Sequence, residues 1–216
     1  MLYYQPWDTI RSAASYGPIN PTTFEGSNAD WGVYNAIING GNIPGLWRTL
    51  SISEWDYLIN TRPASSLNGV DNARYVCATV AGIIGMIIFP DSYTHPDNVA
   101  TPIGINPNGP DPLKDDAINN RYNSNNYSIT DWSYMEDAGC VFLPMTGIRV
   151  GDKYRFGEVT YTNYYARGCY WTSTRSNSQP NTHSGTLEYD WGGRISTIIS
   201  DFHYDGLAVR LVHDCE

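Results

Sequence analysis

No regular run in this chain is long, and that limits what it can fold into more than any other feature. The longest apolar stretch, Val80 to Pro90, is interrupted by Gly82 and Gly85. A membrane-spanning helix needs about 20 consecutive apolar residues, so this stretch predicts no direct membrane insertion. The remaining regular runs are shorter still and are separated by Gly, Pro, Asn and Asp. Such a chain predicts an α+β fold of short helices and short antiparallel strands joined by much ordered loop.

Three helices are predicted. The first covers about Asp30 to Asn39, where Trp31, Tyr34 and Ile38 share a face and Gly40-Gly41 stops the run. The second follows Ser51, because Ser51-Ile52-Ser53-Glu54 has the spacing of a capping box, with Trp55, Leu58 and Ile59 as its buried stripe. The third opens at Thr130 or Asp131 and closes at Gly139, with Trp132 and Met135 on one side. Strands are predicted at Ala73 to Thr79, Met86 to Phe89, Val141 to Leu143, Tyr170 to Thr174, Thr186 to Trp191, Arg194 to Ile199 and Leu207 to Val212. Gly192-Gly193 is a tight-turn signal between the fifth and sixth of these. Asp91 to Asn126 is rich in Pro, Asn, Asp and Gly and reads as a long surface loop or insertion. With neither a repeat nor a linker between two cores, residues 1–216 read as a single domain carrying that loop.

Hydrophobic residues make up 41% of the chain and charged ones 16%, enough apolar surface for a packed core. A net charge of -9 opposes binding to a phosphate backbone, so nucleic acid is not an expected partner. Aromatic content is skewed to 17 Tyr and 7 Trp against 5 Phe. Tyr and Trp pair an apolar body with a polar tip, which suits binding surfaces and also a wet, loop-rich core. Met1 to Trp7 lacks the basic start and apolar centre of a secretory leader. Cys77, Cys140, Cys169 and Cys215 are far apart with no C-x-x-C pair, which speaks against a zinc site. Cys77 and Cys140 lie in apolar runs and read as buried small hydrophobes.

Catalytic patterns are missing. Neither Gly-x-Ser-x-Gly nor His-Glu-x-x-His occurs, and Asp115-Asp116 and Glu136-Asp137 are adjacent pairs whose side chains point apart. The expectation is a protein that is not an enzyme.

Several blocks occur in a characteristic order: Ala29-Asp30-Trp31-Gly32, Asn39-Gly40-Gly41-Asn42, Leu46-Trp47-Arg48-Thr49-Leu50, and Glu54-Trp55. They continue with Arg74-Tyr75, Gly85 to Asp91, Ala138-Gly139-Cys140-Val141-Phe142-Leu143-Pro144, Tyr170-Trp171-Thr172-Ser173-Thr174 and Val209-Arg210-Leu211-Val212. Together they resemble the Fibrobacter succinogenes major paralogous domain family, from about residue 28 to the end. Tyr4-Gln5-Pro6-Trp7 is similar too, as if a longer upstream portion preceded it. Cys77, Met145-Thr146 and Pro96 to Asn126 depart from the pattern.

The resemblance implies a C-type-lectin-like fold of the formylglycine-generating-enzyme type, in surface or secreted proteins of gut-type bacteria, some of them similar to pilus-tip adhesins. It also implies similarity to the variable proteins of diversity-generating retroelements, in which adenine-directed mutagenesis rewrites codons near the C-terminus. The core of the identifying blocks would be Trp31, Trp47, Trp55, Trp132 and Trp171, with Arg48 and Arg210 as structural partners of carboxylates or carbonyls. The implied location is extracellular or on a cell surface or virion, with a protein or glycan ligand.

The ligand surface is expected between Arg175 and Asp205. In Thr186 to Trp191, alternation puts Leu187, Tyr189 and Trp191 on the core face and Thr186, Glu188 and Asp190 opposite. Arg194, Ser196, Ile198 and Ser200 share another face, and Asp201-Phe202-His203-Tyr204-Asp205 is a polar and aromatic cluster without core periodicity. The expected contact residues are Arg175, Ser176, Asn177, His183, Glu188, Asp190, Trp191, Arg194, Ser196, Ser200, Asp201, Phe202, His203, Tyr204 and Asp205, centred on Asp201 to Asp205 with Trp191. Most are residues that an Asn codon yields when its adenines are randomised. No cofactor is expected. Gln179-Pro180-Asn181 matches half of a calcium-dependent sugar-binding motif, but no Trp-Asn-Asp follows it.

Overall fold

A computed structural model describes residues 30, 36–107, 122–150, 153–155, 159–160, 163–164, 167–176, 183–190, 195–197, 200–202 and 205–214. It is mixed α and β, mostly strands with few short helices. Strand β1 (Arg48–Thr49) leads into helix α1 (Ile52–Asp56), which runs on as a single π turn over Tyr57–Thr61. The capping box at its start forms as the spacing predicts: the Glu54 N–H donates to Ser51 Oγ, and the Glu54 carboxylate accepts from the Ser51 N–H at 2.8 Å. Strands β2 (Tyr75–Val80) and β3 (Ile83–Ile88) form a hairpin, followed by the two-residue β4 (Asn126–Tyr127) and helix α2 (Ile129–Asp137). Helix α2 starts one residue earlier than the pattern predicts, because Ser128 and Asp131 form a second capping box. It ends at Gly139, whose φ of 92° only glycine adopts freely.

The later strands are β5 (Val141–Pro144), β6 (Ile148–Val150), β7 (Lys153–Arg155), β8 (Val159–Thr160), β9 (Asn163–Tyr164), β10 (Arg167–Arg175), β11 (His183–Asp190), β12 (Ile195–Ser196), β13 (Ser200–Phe202), β14 (Asp205–Gly206) and β15 (Leu211–Val212). Of the first predicted helix, residues 31–35 lie outside the described residues, and 38–42 form turns. Gly192-Gly193 also lies outside them, although the strands on either side, β11 and β12, pair antiparallel as a hairpin would.

Two sheets organise the core. The central sheet has the order β4-β2-β3-β5. One of its faces, with Tyr75, Cys77, Met86, Ile88 and Leu143, packs in a cluster with Trp55, Tyr170, Leu187 and Tyr189. The opposite face, with Val76, Ala78, Val80 and Ile87, packs against Trp132 and Met135 of α2 and against Tyr93, Val99 and Ile105. Burial on both faces accounts for the nearly continuous apolar run in the sequence.

The region 91–107 is therefore not a surface loop, because three of its apolar side chains are core residues. Isolated apolar residues at irregular spacing show no period, so sequence pattern alone cannot place them. Asparagines replace the missing ladder. Asn106 Nδ2 donates to the Asn72 carbonyl at 2.7 Å, while its Oδ1 accepts the Arg74 N–H at 2.8 Å. Asn125 Nδ2 donates to the carbonyls of Cys77 and Ile103, each at 2.9 Å. Asp115-Asp116 lies outside the described residues.

The C-terminal sheet runs β10-β11-β12, with β13 also on β11. Its core face carries Tyr170, Leu187, Tyr189 and Ile195. The Tyr170 hydroxyl donates to the Pro144 carbonyl at 2.6 Å, and that of Tyr189 donates to the Leu143 carbonyl. The Tyr122 hydroxyl reaches the Asp190 carbonyl at 2.9 Å. Three of the 17 tyrosines thus serve the junction between sheets, where a ring fills space and its hydroxyl reaches a backbone carbonyl of the neighbouring layer. Strand β1 pairs with β15, Arg48 opposite Val212 and Thr49 opposite Leu211, which closes the fold.

Candidate functional site

Alternation along β10 and β11 places Arg167, Cys169 and Trp171 opposite Asp190, Glu188 and Thr186 on the face of the C-terminal sheet turned away from the core. Ser196 of β12 joins them opposite Glu188. The predicted alternation is correct in direction, with Leu187 and Tyr189 inward, but this second face is not open to solvent. Thr186 is fully buried, and Glu188 is only 3% exposed.

An ion pair fills the face. Arg167 Nη1 donates to Glu188 Oε2 at 2.6 Å, and Thr186 Oγ1 lies 3.4 Å from Glu188 Oε1. Burial pushes the proton affinity of Glu188 up, to about 7, and Asp201 adds to the rise, while the Arg167 guanidinium opposes it. Desolvation is the largest single influence on Arg167 and opposes its charge, but the combined pull of Glu188, Cys169 and Asp201 outweighs it and the guanidinium stays charged. Burial beside Glu188 raises the Cys169 thiol well above the ordinary range, and a thiol held protonated is a poor nucleophile.

Register separates the expected contact residues into two groups. Arg175 stands opposite Ser184, and His183 opposite Phe202, with their rings 4.0 Å apart. Ser184 stands opposite Asp201. Arg175, Ser176, His183, Asp201 and Phe202 therefore gather at one end of the sheet. Asp190 is at the other end of β11, seven residues from His183, or about 24 Å at ~3.4 Å per residue. Ser196, opposite Glu188, lies toward that second end. Among the described residues, Asp190 and Asp201 therefore lie at opposite ends of β11, while Trp191, His203 and Tyr204 of the expected centre lie outside them. Sequence alternation assigns faces, but only register says which end of a sheet a residue occupies.

Burial removes four more residues from an exposed surface. Ser176, His183, Glu188 and Asp205 are all buried. Ser176 donates its N–H to the His183 carbonyl at 3.1 Å, and Asp205 sits in β14 opposite Val150. Arg175, Asp190, Ser196, Asp201 and Phe202 are half-buried. Asn177, Trp191, Arg194, His203 and Tyr204 lie outside the described residues, as does the side chain of Ser200.

Two participants were missed. Arg167 precedes the recognised block but belongs to the same strand and face; its i, i+2, i+4 spacing to Cys169 and Trp171 is the signal that would have found it. Trp171, read as core, is half-buried on the polar face opposite Thr186. By contrast Trp55 and Trp132 are core as expected, and Trp47 donates its indole N–H to the Gly40 carbonyl at 2.6 Å. Arg48 pairs with Glu54 and Asp214, the structural role assigned to it. Trp31 lies outside the described residues.

Cys77, Cys140 and Cys169 are buried free thiols, and Cys215 lies outside the described residues. Cys140 packs with Tyr127 and Trp132 beyond the central sheet, a different layer from Cys169. Among the described residues, no three His, Cys, Asp or Glu side chains are grouped to hold a metal ion. Gln179-Pro180-Asn181 lies outside them. No helix among them is long and apolar enough to cross a membrane. Comparison with protein-family models, with curated proteins and with solved structures gives no match.

Proposed function

We propose that this chain is a ligand-recognition domain with a C-type-lectin-like fold, related to the Fibrobacter succinogenes major paralogous domain family and diversified by a retroelement. Its contact surface is the end of the C-terminal sheet formed by Arg175, Asp201 and Phe202, together with the residues that follow Ser176 and Phe202. One observation carries this reading. The register of β10, β11 and β13 brings the ends of two separate chain segments together, on a sheet whose other face is anchored by Tyr170, Leu187 and Tyr189. Side chains at such an end can change without altering the core, which is what a variable surface on a rigid support requires. The ligand is a protein or glycan on another cell or surface, the setting is extracellular or cell-surface, and the role is binding without catalysis.

Burial of Ser176, His183, Glu188 and Asp205 favours a second reading, an invariant adhesin or glycan-binding domain, because buried positions accept few substitutions. Sequencing the codons for Tyr170 to Val212 across the source population separates the two. Adenine-restricted substitutions at Arg175, Asn177 and Asp201 to Tyr204, with Leu187 and Tyr189 fixed, are expected for the variable protein. A uniform sequence would reject diversification and direct the search to a glycan array.

A further inference from the structure

The dipeptide Asn-Gly occurs at Asn39-Gly40, Asn68-Gly69 and Asn108-Gly109, and the third pair lies outside the described residues. The fold treats the first two in opposite ways. Gly40 donates its N–H to the Ile37 carbonyl at 2.8 Å, and its own carbonyl accepts the Trp47 indole N–H. Its backbone lies so close to that ring that a Cβ would stand 2.5 Å from Nε1. Asn68 and Gly69 instead form the tip of a two-residue hairpin turn, with φ of 49° and 75°. Leu67 and Val70 close it by exchanging backbone hydrogen bonds of 3.0 and 2.9 Å. Both tip residues are exposed, and a Cβ at Gly69 would meet nothing within 4 Å. Among the described residues, nothing accepts the Gly69 N–H. The Asn68 side chain has one tie: Nδ2 donates to the Pro102 carbonyl at 3.1 Å. Pro102 belongs to the segment that Val99 and Ile105 seat in the core.

We infer that Asn68 is a site of spontaneous deamidation, and that its conversion unfastens the 93–105 segment from the turn. The Gly69 amide nitrogen gives its proton to solvent and attacks Asn68 Cγ. The Cγ–Nδ2 bond breaks, and the nitrogen leaves as ammonia after taking a proton from solvent. Water then opens the resulting succinimide at either carbonyl, which yields aspartate or isoaspartate. The sum consumes one water and releases one ammonia. Gly69 has no side chain to hinder the attack, whereas the Gly40 nitrogen is donated to Ile37 beside the Trp47 ring. Either product replaces an N–H donor with a carboxylate that faces the Pro102 carbonyl, acceptor against acceptor. Isoaspartate also adds a methylene to the main chain of a turn whose loop length sets the pairing of its ends. None of this depends on the ligand reading.

The test ages the folded wild-type chain in mildly alkaline buffer beside a sample unfolded in urea, and maps tryptic peptides from both. Cleavage at Arg48 puts Asn39 and Asn68 on different peptides. In the folded chain the Asn68 peptide is expected to be lost to its aspartyl and isoaspartyl forms while the Asn39 peptide persists. In urea both should be lost at similar rates. If the Asn68 peptide lasts as long as that of Asn39 in the folded chain, the proposal is overturned without requiring any variant to fold. Hydrogen exchange reads the second half of the proposal at Ile103, whose N–H donates to Asn125 Oδ1 at 3.0 Å. That amide is expected to exchange faster in aged protein, in step with conversion, and in Asn68→Asp from the start. Asn68→Gly suits the turn and cannot deamidate, so it should exchange fast at the outset and change no further. Unaltered Ile103 exchange in converted protein overturns the release of the segment. So does a rise on ageing of Asn68→Gly, since another site would then be responsible.

Discussion

The central sheet and the C-terminal sheet are built from strands of similar apolar content in their inner halves, yet they handle their outer faces in opposite ways. The central sheet covers Val76, Ala78, Val80 and Ile87 with α2 and the 93–105 segment, so both its faces are apolar. The C-terminal sheet has one apolar face, and on the other it buries Glu188, Thr186 and Ser184 beside a half-buried Arg167. The first arrangement gains from area removed from water in proportion to the surface buried. The second depends on each polar group finding its partner, and loses heavily if one is removed. A sheet of the second kind is fixed in detail by its pairings, which fits the proposal that its rim varies while its backbone stays in place.

The largest expected effect lies on the central side. Phe89→Ala, at a side chain 1% exposed just after β3, is expected to cost about 3–5 kcal/mol, read as a lower urea midpoint. Next comes Arg167→Met, which leaves Glu188 buried without its cation. A loss of about 3 kcal/mol is expected above neutral pH, shrinking toward pH 5 as Glu188 takes a proton. A loss independent of pH would show the pair to be mere packing. Tyr189→Phe removes the hydroxyl that joins the sheets at Leu143, and about 1 kcal/mol should be lost in chemical denaturation, the worth of one buried hydrogen bond.

The smallest change comes from the substitution that would make the two sheets alike. Arg167→Met with Glu188→Leu replaces the ion pair by apolar side chains of similar volume, and a net change within about 1 kcal/mol of zero, or a gain, is expected. If this double variant is as unstable as Arg167→Met alone, the contrast between the sheets is wrong and the polar face contributes stability outright.

The sequence made some of this legible and hid the rest for identifiable reasons. Ser51 and Glu54 marked the start of α1 to the residue, because a capping box acts over one turn and is written in contiguous residues. Gly139 likewise marked the end of α2. Alternation along β11 sorted Leu187 and Tyr189 from Thr186 and Glu188 correctly. It could not say that Glu188 would be buried, because a polar residue on an outward face looks the same whether water or an arginine from another strand meets it. Nor could it separate His183 from Asp190 as opposite ends of a site, since distance along a strand becomes distance in space only once the strand exists.

What the sequence determined by itself was therefore local: helix caps, strand faces, and the short runs that require a loop-rich α+β fold. The tertiary structure alone decided that Tyr93, Val99 and Ile105 are core, that tyrosine hydroxyls join two sheets through backbone carbonyls, and that Arg167 meets Glu188. Those contacts join residues 21 or more positions apart in the first two cases of Arg167 with Glu188 and Tyr189 with Leu143. Their physical basis is desolvation, which has no meaning for a side chain until another part of the chain has displaced its water.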